Sequence, residues 1–383
     1  IPEGTPVMPQ EPILSISGPL MEVQLLETLV LNIINHQSLI ATKAWQITNA
    51  ADGRAVMEFG ARRAQGPDAA TYGARAAIIG GCSSTSNVLA AKLFHVPAAG
   101  TMAHAWIESF PDELTAFRAW AKIYPDTAAL LVDTYDVVNS GVPNAIKVFK
   151  ELRAAGHEPV GIRIDSGDIT QLAKKARKML DDAGFPNAKI TASNALDAHI
   201  VKALLEDGAP LDNFGIGERL ITSSSSPVLS GVYKMSELEN NGKWKPKIKI
   251  SNSREKITLP GNKQVYRLYK KNEPNKAFAD VIALNDEQIG DTISAVNADV
   301  YATCDKVELK DFVAKPLLSE ILTPDHEKDI ETDTFAIQKF AHQKIAELPT
   351  ATKRLVNPDR YPVFLTKNLA DLQQKLISEY RNI

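Results

Sequence analysis

From residue 55 onward, short apolar runs alternate with amphipathic stretches, and no other feature of this 383-residue chain restricts its fold as tightly. AVMEFG is followed by AATYGARAAIIGG, VPAAGT by DELTAFRAWAKIY, AALLVDT by PNAIKVFKELRAAG, PVGIRIDSGD by ITQLAKKARKMLDDAG, and AKITASN by LDAHIVKALLEDG, before DNFGIGE closes the series. Runs this apolar are parallel strands buried on both faces, wrapped by the helices between them. That leaves a barrel or a doubly wound sheet. The ends of the runs favour the barrel: Arg62 and Arg63, Thr101 and His104, Asp133, Arg163 and Asp165, Ser193 and Asn194, then Gly215 and Gly217. Polar and small groups at every strand end suit a fold whose C-terminal strand ends meet at one mouth, whereas an open sheet uses a single switch point. Neither GxGxxG after a strand nor GxxxxGK[ST] occurs, which disfavours a dinucleotide fold and a P-loop.

On either side of this series the rhythm changes. TPVMPQEPILSISGP reads as short strands broken by Pro and Gly. A helix follows, with Leu25, Leu29 and Ile33 at helical spacing, and ends near Asn49 and Gly53. Beyond Ser226, VLSGVYKM, KPKIKIS and KQVYRLY read as strands, and the segment from residue 316 reads as helical with Pro breaks. The expected fold is α/β: an irregular, TIM-like β/α barrel with a second, smaller β-rich domain. Residues 1–50 are assigned to the β-rich domain and a connecting helix, 51–226 to the barrel, 227–315 to a strand-rich return to the β domain, and 316–383 to a C-terminal helical segment.

Composition removes several classes of function. A formal net charge of -3 supplies no basic field for a polyanion, so nucleic acid is not an expected partner. Cys82 and Cys304 form no CxxC, which argues against a disulfide framework or a Cys-based zinc site and suits a cytoplasmic protein. No run approaches the roughly 18 apolar residues of a membrane span. The start, IPEGTPVMPQ, has neither an initiator Met nor a signal-peptide core, as in a chain entered in mid-domain or trimmed.

The strand ends hold the candidate chemistry. His104, in GTMAHAW, is either a hydrogen-bonded structural residue or a nucleophile whose tautomer a carboxylate such as Asp133 fixes. Asp133 is also in position to cap its own loop beside Thr134. In IRIDSGD, Arg163 and Asp165 alternate with Ile162 and Ile164, so both charges share one strand face at the barrel interior or mouth. Unpaired charge there is costly, and the pair is compensated either mutually or by a ligand. EFGARRAQG sets Phe59, Arg62 and Arg63 at a strand end, where an aromatic and guanidinium groups suit a flat anionic ring. Ser83, Ser84, Thr85, Ser86 and Asn87 offer either phosphate contacts at a helix N-terminus or simple capping. In GIGERLITSSSS, Gly215 and Gly217 permit close backbone approach to an anion.

In this order, EFGARRAQGPD, TSNVLAAKLFHVPAAGTMAHAW, LVDTYD, GIRIDSGD, SNALD and GIGERLIT closely resemble the nicotinate phosphoribosyltransferase family. The resemblance runs from EGTPVMPQEPILSISGPLMEVQLLETLVLNIIN through KITLPGNKQVYRLY to NPDRYPV, nearly the whole chain. It implies a type II phosphoribosyltransferase of NAD biosynthesis and salvage. Such an enzyme joins nicotinate to phosphoribosyl pyrophosphate (PRPP), giving nicotinate mononucleotide and pyrophosphate. The resemblance also implies coupling to ATP hydrolysis through a phosphohistidine, Mg²⁺ on the pyrophosphate oxygens rather than in a protein cage, and a homodimer with shared active sites. His104 matches the phosphorylated residue and Asp133 the carboxylate that orients it; Thr101 and Arg163 match nicotinate contacts. Arg62 and Asp165 match groups near the phosphoribosyl moiety, and Phe59, Gly217 and Glu218 complete the expected substrate-binding set.

Three departures accompany the match. The family's upstream segment, which completes the β domain and supplies an aromatic to the nicotinate site, is expected to be missing here. Glu218 stands where some members have a phosphate-contacting Thr, and Cys82 and Ser83 where relatives often have an aromatic and an acid. Two alternatives stay open, a nicotinamide phosphoribosyltransferase and a non-catalytic ligand-binding relative of the same fold.

Overall fold

The computed structural model describes residues 1–299 and 306–381; Cys304 lies outside the described residues. The chain divides into two compact units, Ile34–Leu229 with Asp333–Gln338, and Ile1–Ile33 with Ser230–Thr332 and Lys339–Ile383. Helices α1 (Leu20–Leu25) and α2 (Glu27–Ala50) follow a stretch in which the expected strands do not form. Pro6, Pro9, Pro12 and Pro19 remove the N–H donors that a strand ladder needs. The chain makes turns instead, with Thr5 N–H donating to Pro2 O at 3.2 Å and Glu11 N–H to Met8 O at 3.4 Å.

The unit built on residues 34–229 carries the β/α series in chain order. Its elements are β1 (Ala55–Glu58), α3 (Pro67–Ile79), β2 (Ser84–Thr85), α4 (Val88–Phe94), α5 (His104–Glu108), α6 (Glu113–Ile123) and β3 (Ala129–Leu131). They continue with α7 (Val142–Ala154), β4 (Gly161–Ile164), α8 (Ile169–Asp182), β5 (Lys189–Asn194), α9 (Ala198–Glu206), β6 (Asn213–Ile216) and α10 (Glu218–Ile221). The sheet order is β2-β1-β6-β5-β4-β3 and every pairing is parallel. Because β6 lies beside β1, the sheet has curled until its first and last strands are neighbours, and it stays open between β2 and β3. This is an irregular half-barrel. Aspartates start its outer helices: Asp112, Asp168 and Asp197 accept the N–H groups of Thr115, Gln171 and Ile200. Inside, Ile162, Ile164, Ile190, Ala192, Phe214 and Ile216 are fully buried, as the continuous apolar runs require.

Two local expectations change places. VPAAGT, expected as a strand, keeps one parallel bridge, Ala98 to Thr85. Ser84 and Thr85, expected either to contact phosphate or to cap a helix, form the buried strand β2. Asn87 alone caps α4, accepting from Ala90 N–H at 3.1 Å. Two residues of strand carry no readable periodicity, and neighbouring Ser and Asn look like a cap.

The other unit holds a hairpin of β7 (Glu237–Asn240) and β8 (Lys243–Pro246), then β9 (Lys263–Lys270), β10 (Glu273–Leu284), β11 (Thr292–Asn297), β12 (Lys306–Lys310) and β13 (Phe312–Pro316). A small pair, β14 (Leu322–Thr323) and β15 (His326–Glu327), precedes α11 (Thr334–Ala346), β16 (Val363–Thr366) and α12 (Lys367–Arg381). Its main sheet runs β12-β11-β16-β10-β9-β13. VLSGVYKM forms no strand. Conversely β16, from the segment expected to be helical, sits inside this sheet between β11 and β10 with all its residues buried. One core cluster gathers Leu268, Val281, Phe312 and Phe364, and a second gathers Val265, Ile282, Leu365 and Leu369 of α12. Among the described residues, no helix is long and apolar enough to cross a membrane.

Candidate active site

Arg163 organises the mouth of the half-barrel. It stands on β4 between two buried isoleucines and is itself half-buried. Its Nη2 donates to Asp165 Oδ1, its Nη1 to Thr101 Oγ1 and its Nε to Ser193 Oγ, each at 2.7 Å. Ser193, on β5, donates onward to Asp165 Oδ1. Three of the guanidinium's five N–H donors are thereby used, leaving one on each Nη. Burial works against the Asp165 charge, but the Ser193 bond, the Arg163 charge and His104 together outweigh it and hold the carboxyl below its usual range. Alternation in IRID therefore produced what it implied, a charged pair on one face, which is compensated mutually while still keeping donors to spare.

His104 opens α5 just after the loop that Arg163 reaches at Thr101. Its Nδ1 lies 3.1 Å from Thr134 Oγ1. Its Nε2 faces two carboxylates, Asp133 Oδ1 at 3.9 Å and Asp165 Oδ2 at 3.8 Å. The imidazole is 40% exposed while the Asp133 side chain is 1% exposed, so the ring is reachable and its carboxylate neighbour is not. Asp133 Oδ2 accepts from Asp165 N–H at 3.0 Å and from Ser166 Oγ at 2.5 Å, and Oδ1 has no partner nearer than the imidazole. Thr101 and Arg163, separated by some 60 residues in sequence, are thus in direct contact.

Phe59, Arg62, Arg63, Arg163, Asp165, Ser193, Asn194, Gly215, Gly217 and Glu218 line one cleft at these strand ends. The Arg163 guanidinium lies 5.6 Å from the Phe59 ring centroid. Gly215 is there for that ring: a Cβ at this position would sit 2.5 Å from Phe59 Cε2, and one at Gly217 would sit 2.8 Å from Phe59 O. Glycine at both positions makes room for the aromatic as well as lining the cleft. Arg62 and Arg63 are exposed, and Arg63 pairs with Glu218 at 3.4 Å. Asn194 holds a φ of 119°, a strained backbone of the kind found at functional sites. Thr101, His104 and Asp133 join the cleft residues through Arg163 and Asp165. Cys82 is buried and its thiol is pushed up by burial, so it offers no reactive thiolate. Among the described residues, no group of three or more His, Cys, Asp or Glu is placed to hold a metal ion.

Sequence reasoning missed Glu58. Its carboxylate is fully buried, accepting from Gly60 N–H through Oε1 and from Thr85 Oγ1 at 2.5 Å through Oε2. Burial pushes its pKa up, and the two hydrogen bonds oppose that shift. The available signal was parity, since Glu58 shares its strand face with buried Val56. Thr134 and Ser193, hydroxyl partners of His104 and Arg163, carry no sequence signal of those contacts.

The Nicotinate phosphoribosyltransferase (NAPRTase) family model matches residues 54–278, and the Nicotinate phosphoribosyltransferase C-terminal domain model matches residues 262–373. A nicotinate phosphoribosyltransferase of Bacillus subtilis (strain 168) is 42% identical over 99% of this chain and 77% of its own length. One from Dictyostelium discoideum is 35% identical over 98% of this chain and 72% of its own. The crystal structure of human nicotinic acid phosphoribosyltransferase superimposes with a TM-score of 0.85 at 29% identity, covering 98% of this chain and 81% of that one. A nicotinate-nucleotide pyrophosphorylase from Pyrococcus furiosus shares the fold, with a TM-score of 0.60 at 24% identity, 84% coverage of this chain and 73% of that one.

Proposed function

This chain belongs to the nicotinate phosphoribosyltransferase family, and on that premise we propose that its half-barrel cleft joins nicotinate to PRPP in a reaction coupled to ATP. It is an enzyme of NAD biosynthesis. The observation that carries the residue assignments is Arg163: a guanidinium fixed by Asp165, Thr101 and Ser193, with a donor left on each Nη and an aromatic ring beside it. That arrangement fits a flat ring bearing a carboxylate, with the ring against Phe59 and the carboxylate on the two remaining donors. The pyridine nitrogen then forms its bond to the anomeric carbon as the bond to pyrophosphate breaks. Arg62 and Gly217 supply charge and close backbone approach to the phosphorylated substrate, and Asp165 supplies a carboxylate toward the ribosyl part. Glu218, paired with Arg63, tempers the positive charge at that end.

His104 takes the ATP γ-phosphoryl in this reading. With Nε2 turned to Asp133 and Asp165, the ring holds its proton on that side, and the Nδ1 lone pair attacks phosphorus as the bond to ADP breaks. Hydrolysis of the phosphohistidine returns the imidazole and makes the cycle effectively irreversible. Mg²⁺ would accompany the pyrophosphate and neutralise its charge; the few cleft carboxylates fit a metal carried in on substrate better than a resident one. A homodimer with shared sites also belongs to the proposal, supported by the exposed stripe Leu25, Leu29 and Ile33, which are 80%, 58% and 46% exposed.

The test is turnover of nicotinate and PRPP with and without ATP, with nicotinamide as competitor. Nicotinate mononucleotide formation, stimulated by ATP and little affected by nicotinamide, is expected. Preference for nicotinamide, or ligand binding with no turnover, would contradict the assignment.

A further inference from the structure

Thr85 touches nothing in the cleft, yet both halves of the cleft hang on it. Its hydroxyl donates to Glu58 Oε2 at 2.5 Å and accepts from Asn87 N–H at 2.9 Å. Its backbone N–H donates to Pro97 O at 3.1 Å, and its carbonyl accepts from Ala99 N–H at 2.9 Å. Glu58, on the neighbouring strand, accepts from Gly60 N–H with its other oxygen. One side of this junction is therefore the turn that presents Phe59, Arg62 and Arg63, and the other is the segment running from Pro97 to Thr101 and His104. Both side chains are fully buried, where a carboxylate without partners is expensive and a satisfied chain of hydrogen bonds is stiff. The sheet makes such a tie necessary. It is open between β2 and β3, and among the described residues the backbone of the segment around Ala98 is bridged to a strand at Thr85.

We infer that Glu58 and Thr85 are positioning residues: the buried carboxylate–hydroxyl bond sets the aromatic and arginine side of the cleft in register with the Thr101 and His104 side. The inference rests on the reading of the cleft as a nicotinate and PRPP site. It adds a role for two residues that meet neither substrate.

The decisive variant is Thr85→Val, which keeps shape and removes the hydroxyl. Loss of register at reacting groups costs roughly ten- to a hundredfold in rate. The expected result is a fall of that order in kcat/KM for nicotinate, carried mainly by kcat, with rescue by Thr85→Ser. Amide hydrogen exchange should quicken in both 59–63 and 97–104 and stay at the parent rate in residues 263–284 of the other unit. If Thr85→Val does not fold, Thr85→Ala carries the same test, since it also removes the hydroxyl that donates to Glu58 Oε2 and leaves Glu58 with its bond from Gly60 N–H. Parent turnover in Thr85→Val, a Thr85→Ser variant as impaired as the valine, or exchange that quickens in only one segment would overturn the inference. Absence of nicotinate turnover in the unsubstituted protein would instead sink the proposed reaction, and the exchange comparison would still decide whether Thr85 ties the two segments.

Discussion

Each unit of this protein contains an Arg–Asp pair set among apolar strand residues, and the two pairs have opposite fates. Arg267 on β9 and Asp280 on β10 are direct cross-strand partners in an antiparallel ladder, both 0% exposed, with Nη2 to Oδ2 at 2.7 Å and Nε to Oδ1 at 3.0 Å. Arg267 also donates to Pro6 O at 2.9 Å, and Tyr361 Oη donates to Asp280 Oδ1 at 3.1 Å. Arg163 on β4 and Asp165 just past its last residue sit two residues apart at the strand's open end, 16% and 28% exposed. The first pair is walled in and can only hold the sheet together. The second keeps donors and an exposed imidazole beside it, so it can receive a ligand. The same pair of groups is sealed off or left open to a cleft according to whether it stands in a core or at a mouth.

The widest gap between the pairs should appear when one partner is deleted. Asp280→Ala strands a buried guanidinium, which commonly costs about 3 to 5 kcal/mol, and urea unfolding should register a loss of that order. Arg163→Ala should leave global stability far closer to the parent. An Asp280→Ala protein as stable as the parent would mean that the closed pair is not what holds its sheet.

A smaller effect separates the pairs by ligand. Arg163→Ala removes charge-assisted hydrogen bonds worth about 1.5 to 3 kcal/mol, so nicotinate affinity should fall accordingly while nicotinamide binding changes much less. Titration calorimetry with both ligands checks this. Equal losses would assign Arg163 to the phosphates or the scaffold.

Smallest of all is a pH slope that belongs to the closed pair. Burial first, then the hydrogen bond and charge of Asp280, push the Glu11 carboxyl up to about 9, against Met8 N–H and Arg267, which pull it down. Folded Glu11 therefore keeps a proton that an unfolded glutamate releases near pH 4.3. Its contribution to stability is complete below about that pH and declines as pH rises toward 9. Glu11→Gln should flatten the decline, read as urea midpoints across that window, and an unchanged slope would place the titration elsewhere.

The same contrast explains what was legible in the sequence. Arg163 and Asp165 could be read because their partner relation is local, two residues apart where one strand runs out into polar groups. Arg267 in KQVYRLY and Asp280 in FADVIAL each look like a lone charge in an apolar run, and only the register of two strands makes them partners. Glu58 was hidden for the same reason: its partner Thr85 stands on a two-residue strand that no periodicity announces. The β/α series was plain because buried parallel strands must be apolar throughout. The N-terminal prolines, which looked like punctuation between strands, were instead the reason no strand formed.

If the open pair serves His104, phosphoryl transfer from ATP must stop there. Incubation with γ-labelled ATP, followed by acid treatment, should show acid-labile label on the parent protein and none on His104→Ala. Asp133→Asn should label more slowly with the fold intact, as expected when a carboxylate orients the ring. Label that persists undiminished in His104→Ala would rule out His104 as the phosphoryl acceptor.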